Sequence, residues 1–215
     1  MKKKVLVTGF DPFGDDHVNP ALEAVKQLNG KTIEDVMIVA QEVPTVFHES
    51  INVVIEAIKR QQPDVVICVG QAGGRTQITP ERVAINVDDA RIPDNQQKQP
   101  IDERIDPDGP AAYWSTLPIK RIVQHMRKAG IPSAVSNTAG TFVCNHLFYG
   151  VMNYLEKHAS HIRGGFIHIP YIPEQTVKNN APSLSLNLIV KGIEIAAVTA
   201  AHEKEDIREI GGAIH

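Results

Sequence analysis

The chain has 215 residues, 42% hydrophobic and 22% charged, which is enough apolar content for one α/β-sized core and argues against long disorder. Lys and Arg number 22 against 25 Asp and Glu, a formal net charge of −3, so the basic footprint of a nucleic-acid or anionic-membrane binder is excluded. Only Cys68 and Cys144 carry thiols, too few for a disulfide scaffold or a cysteine-only zinc site.

Lysines open the sequence, but the apolar run behind them, Val5-Leu6-Val7, is far too short for a signal segment. No run approaches the roughly 18 apolar residues of a membrane span. The chain is therefore expected to be cytoplasmic, with both thiols reduced. Lys4–Thr8 reads as a buried strand, followed by a polar loop through Asp11, Pro12, Gly14 and Asp15. Asn19-Pro20 has the residues of a helix N-cap and first position, and Asn29-Gly30 those of a stop. Val36–Ala40 is a second predicted strand. The spacing of Ile51, Val54, Ile55 and Ile58 predicts a helix over about 46–62. Asp64–Gly70 is β-branched without interruption, as in a strand covered on both faces. Arg82–Asp88 alternates like a half-exposed strand, whereas 92–110, with four prolines, reads as a long loop. Ile119–Ala129 is a predicted helix, Ser133–Asn137 a strand, Phe142–His158 a helix, Gly165–Ile169 a strand and Ser183–Glu203 a final helix. This alternation predicts one domain over 1–215, a mostly parallel sheet between helices, with its site beyond the carboxyl ends of the strands.

Three strand ends carry chemistry. Val69-Gly70-Gln71-Ala72-Gly73-Gly74-Arg75 has neither the dinucleotide-binding glycine spacing nor the Gly-Lys-Ser/Thr of a phosphate loop. It reads as a tight turn or as backbone approaching a ligand. Ser136–His146 runs from a strand through small residues into a helix, with Cys144 near the first helical turn. Unpaired N–H groups and the positive end of the helix dipole favour a thiolate there and can receive an oxyanion. Cys68, inside Val-Ile-Cys-Val-Gly, reads as core filler. His168 ends the apolar strand Phe166-Ile167-His168-Ile169-Pro170, where it is either a hydrogen-bonded core histidine or the base a nucleophilic cysteine requires. Glu81 is the best-placed carboxylate to hold that imidazole. Phe10, Phe13 and Phe142 stand near predicted strand ends and fit either loop packing or an apolar slot for a small flat group. The remaining histidines have no metal-ligand spacing, and no metal is expected.

These residues resemble the pyroglutamyl peptidase type I family. The match lies in Val7-Thr8-Gly9-Phe10-Asp11-Pro12-Phe13-Gly14, in Gly70-Gln71-Ala72-Gly73 through Thr79-Pro80-Glu81-Arg82-Val83-Ala84-Ile85-Asn86, in Ser136–Asn145 and in Phe166–Pro170. The resemblance implies an α/β/α sandwich and a cytosolic cysteine peptidase that removes an N-terminal pyroglutamyl residue through a thioester, without a cofactor. It implies Cys144 as nucleophile, His168 as general base and acid, and Glu81 as orienting group. It also implies Phe10, Phe13 and Phe142 around the lactam ring, Gln71 bonded to it, Arg91 near the oxyanion, and a homotetramer acting on pyroglutamyl peptides. Two other classes share features with the sequence. A nucleoside phosphorylase-like enzyme would use Gly70–Arg75 for phosphate, and a ligand-binding domain would keep Cys144 as a structural residue.

Overall fold

A computed structural model describes residues 2–14 and 16–212; Asp15 of the predicted loop and the C-terminal His215 lie outside them. The main sheet takes strands β1 (Lys3–Phe10), β2 (Thr32–Ile33), β3 (Val36–Val43), β4 (Val65–Gln71), β5 (Thr79–Pro80) and β8 (Arg163–Ile169), in the order β2-β3-β1-β4-β8-β5. The four central strands β3, β1, β4 and β8 are parallel, and the short edges β2 and β5 are antiparallel. A second, two-stranded sheet pairs β6 (Val83–Ile85) with β7 (Ala112–Trp114).

Helices cover both faces of the main sheet. On one side α1 (Pro20–Leu28), α3 (Ile119–Lys128) and α6 (Leu186–His202) bury Val5, Val7, Ile67, Val69, Ile167 and Ile169. On the other, α2 (Glu49–Gln61) and α4 (Val143–His158) bury Leu6, Val66, Cys68 and Phe166. The two apolar sets alternate along each strand, as period-two side chains on a doubly covered sheet must. A last short helix, α5 (Pro173–Thr176), follows β8. The fold is thus the expected α/β/α sandwich. Among the described residues no helix is long and apolar enough to cross a membrane.

Several boundaries differ from the sequence reading. The helix predicted from residue 46 starts at Glu49, because His48 takes a left-handed φ of 64° and resets the chain direction. Ser133–Asn137 is not a regular strand but two isolated bridges, Ile78 with Ser133 and Glu81 with Ser136. Ala134 N–H donates to Ile78 O and Ser136 N–H to Pro80 O, while Pro80, lacking an N–H, cannot continue the alternation. Of Arg82–Asp88 only Val83–Ile85 is strand, and it leaves the main sheet. The long loop is pinned rather than loose. Buried Asp94 accepts from the N–H groups of Phe47, Gln96 and Lys98 at 2.9, 2.8 and 2.9 Å, and Asn86 bonds Asp106 in both directions.

Candidate active site

The site is assembled by strand register at the carboxyl edge of the sheet. In β8, Phe166 and His168 share one face. Their partners in β4 are Cys68 and Gly70. On the other flank, Thr79 stands opposite His168, and Glu81 N–H donates to Phe166 O at 2.8 Å, which puts Thr79 and Glu81 on the same face. Helix α4 lies over that face and brings Cys144, its second residue, down onto Gly70. A Cβ at position 70 would stand 2.8 Å from the Cys144 sulfur and 2.8 Å from Phe166 Cζ. Gly70 is therefore the seat of the thiol, which is the close backbone approach that the glycine-rich strand end hinted at. Because Phe166 is fully buried, Gly70→Ala has to displace Cys144. Such a shift is expected to lower kcat about 100-fold, with roughly 1–3 kcal/mol lost in a thermal melt. Wild-type kcat in that variant would contradict this placement.

Glu81, fully buried, accepts from His168 Nδ1 at 2.7 Å through Oε1. The same oxygen receives Arg75 Nη1 at 2.7 Å, while Oε2 has no partner. Arg75 also reaches the Thr79 hydroxyl and Thr138 O. The sequence reading gives Arg75 a part only in the phosphate site of the phosphorylase-like alternative and none beside Glu81; its signal is its place after the glycine run. Its three contacts lock Glu81 in place and leave the run's guanidinium committed to protein, so Gly70–Arg75 is not a phosphate cradle.

Cys144 and His168 open into one cavity of about 190 Å³, walled by Phe10, Phe13, Phe142, Ala139, Gly140 and Thr141, with Asn19, Thr45 and Gln71 as its polar groups. That is below the roughly 300–1,000 Å³ of sites for drug-sized ligands and suits one small ring. Asn19 caps α1 by accepting from Ala21 N–H at 3.0 Å and ties down the aromatic loop by donating to Asp11 O. Gln71 donates to Asp16 at 3.0 Å and accepts from Gln175 at 2.8 Å, which leaves one N–H and one lone pair for a ligand. Of the residues expected at the site, all but Arg91 line this cavity or, like Glu81, stand directly behind it. Arg91 is exposed and stands outside the lining. Asp89, bonded to Thr141 through its N–H and its carbonyl, and buried Ala90 hold the chain so that the next side chain leaves the rim.

The electrostatics correct one expectation. Burial pushes the Cys144 thiol up to about 12; the Glu81 charge adds to this and Arg75 opposes it. Burial likewise holds His168 below its ordinary 6.5, against the upward pull of Glu81. Both shifts disfavour the charged forms, and for the thiol this is opposite in sign to the lowering that the helix start alone predicts. Cys68 matches its reading as core filler: it is buried, and burial pushes its thiol up to about 12. The start of α4 has no side-chain cap, so the N–H groups of its first turn face the cavity end without a capping acceptor.

A thiol at a helix start, an imidazole held by a buried carboxylate and an apolar slot beside them are the parts of a thiol-dependent hydrolase on an α/β sandwich. Residues 3–203 match the pyroglutamyl peptidase family. The chain is 64% identical to the pyrrolidone-carboxylate peptidase of Bacillus velezensis and 61% identical to that of Bacillus subtilis, over the full length of each pair. It is also similar to the crystal structure of pyroglutamyl peptidase I from Bacillus amyloliquefaciens, with a TM-score of 0.96 and 64% identity, covering 97% of this chain and 100% of that one. For the pyrrolidone carboxyl peptidase from Thermococcus litoralis the TM-score is 0.93 at 36% identity, covering 97% and 99%. This chain belongs to the pyroglutamyl peptidase family.

Proposed function

We propose that this protein removes the N-terminal pyroglutamyl residue from peptides by attack of the Cys144 thiol, through a thioester. The observation that carries the reading is the shared cavity of Cys144 and His168, with Glu81 2.7 Å behind the imidazole. Pyroglutamate has no cationic amine, so an ordinary aminopeptidase cannot hold it by charge. Three phenyl rings and the free positions of Gln71 offer what its lactam needs instead, an apolar slot and hydrogen bonds.

His168 Nδ1 donates to Glu81, which leaves Nε2 as the basic atom. His168 takes the thiol proton as sulfur attacks the pyroglutamyl carbonyl. The N–H groups of the first turn of α4 stabilise the oxyanion. The imidazolium then protonates the leaving amine as the C–N bond breaks. Water, deprotonated by His168, attacks the thioester, releases pyroglutamate and restores the thiol. No metal or cofactor takes part in this scheme. A cytosolic location and assembly into a homotetramer belong to the same proposal. Exposed Ile101 in the pinned loop and Val177 beyond Tyr171–Pro173 are apolar surface for such contacts, and the mass in solution tests the assembly.

The test is arylamine release from a pyroglutamyl arylamide and from its prolyl counterpart, in which a cationic secondary amine replaces the neutral lactam. Cleavage of the first with at least about 1,000-fold preference is expected, since a site that pairs a buried amide rejects ligands lacking it. Equal cleavage of both would contradict the proposed slot.

A further inference from the structure

A second histidine–carboxylate pair lies inside the protein, away from the reacting atoms. His146 is fully buried on α4, and its Nδ1 is 2.7 Å from Oδ2 of Asp88, which is also buried. Its other nitrogen, Nε2, accepts the backbone N–H of His48 at 2.8 Å. Because Nε2 accepts, the ring proton must sit on Nδ1 and be donated to Asp88, so the contacts fix the tautomer. His48 is one of five non-glycine residues with positive φ among the described residues, and its ψ of −46° sets it outside the left-handed helical basin, a conformation that costs a residue with a side chain. Next to it, the Phe47 ring stands edge-on both to His146, with centroids 5.2 Å apart, and to Phe142, with centroids 5.5 Å apart. Phe142 is a wall of the cavity, and its carbonyl accepts the His146 N–H at 3.1 Å.

We propose that the Asp88–His146 pair is a positioning device that sets the width of the lactam slot by holding the Phe47–His48 turn, and with it the Phe142 ring, in one place. This inference rests on the peptidase reading above. A buried hydrogen-bonded pair gives little net stability over apolar residues of the same shape, so stability alone does not account for it. What it supplies that apolar packing lacks is an acceptor aimed at one backbone N–H. Without that acceptor the strained turn can relax, Phe47 loses its edge-on seat, and the Phe142 wall is free to retreat. Neither His146 nor Asp88 lines the cavity, so both are positioning residues.

The test compares His146→Leu, His146→Gln and Asp88→Ala with the wild type on two amides, the pyroglutamyl arylamide and its homologue with a six-membered lactam. One methylene in a tight pocket is worth about 10–200-fold, and His146→Leu is expected to erase about tenfold of that discrimination. It should do so by raising KM for the pyroglutamyl amide with kcat changed less than about threefold. His146→Gln places an amide oxygen near the lost Nε2 and should restore most of the selectivity. Equal loss on both amides, leaving the selectivity ratio as in the wild type, would overturn the proposal, as would a Gln variant no better than the Leu variant. If His146→Leu fails to fold, Asp88→Ala, which takes away the acceptor that fixes the His146 tautomer, decides: a changed ring-size ratio supports the proposal, and an unchanged one contradicts it. A Cys144→Ser control keeps the two readings apart, because activity surviving in that control would sink the peptidase mechanism and not merely the positioning role.

Discussion

Cys144→Ser is expected to lower kcat/KM for a pyroglutamyl arylamide by roughly a thousandfold or more, about 4 kcal/mol of transition-state stabilisation. The oxygen would occupy the same seat over Gly70, under the same helix start and in the same cavity, so binding and geometry are kept. What is lost is the nucleophile. A hydroxyl is a weaker acid and a weaker nucleophile than a thiol, so the same imidazole has a harder proton to remove. Cys144 is only half-buried and the change is nearly isosteric, so the melting temperature should move by no more than a few degrees. A large activity loss with an unchanged fold is therefore the expected signature. Rates within tenfold of wild type would remove Cys144 from the chemistry.

His168→Asn is expected to be about as damaging, again near a thousandfold in kcat. Asparagine can place its amide nitrogen where Nδ1 stands and keep the hydrogen bond to Glu81, but it cannot accept a proton. Glu81→Gln should cost less, about 10–100-fold. Both donors to Glu81, from His168 and Arg75, converge on Oε1, and a glutamine oxygen placed there satisfies both and preserves the tautomer. The amide nitrogen then falls where Oε2 is buried without a partner, which adds about 1–3 kcal/mol of lost stability. The charge that steadies the imidazolium is lost as well. Steady-state kinetics on the three variants checks the ranking, and a Glu81→Gln enzyme as inactive as Cys144→Ser would show that the carboxylate charge is indispensable rather than orienting.

The parts of the site legible in the sequence are those that depend on local pattern. Small residues leading from an extended segment into an amphipathic helix placed Cys144 at a helix start. An apolar run ending in histidine placed His168 at a strand end, and alternation alone puts Phe166 and His168 on one face. What stayed hidden depends on contacts between distant segments. Asp88 and His146 are 58 residues apart, and nothing local distinguishes them from surface polar groups. Asp94 lies in a stretch that reads only as a Pro-rich loop, yet it is buried and holds the Phe47 N–H. Arg75 reads as the end of a glycine turn, and its pairing with Glu81 is a contact that the local pattern does not announce. The sign of the Cys144 shift is hidden from the sequence for the same reason. A helix start is visible in sequence, while the burial and the Glu81 charge that outweigh it come from other elements. At the edge of the sheet, Pro80 interrupted a ladder that the composition of 133–137 had promised.

The central claim is that the acyl group passes through the sulfur of Cys144. Acid quenching of the wild-type enzyme during turnover of a pyroglutamyl ester or arylamide, followed by peptide mass mapping, tests it directly. The expected result is one pyroglutamyl group on the peptide carrying Cys144, labile to hydroxylamine as a thioester is and absent from Cys144→Ser. A pyroglutamyl group on any other residue, or its persistence in Cys144→Ser, would contradict it.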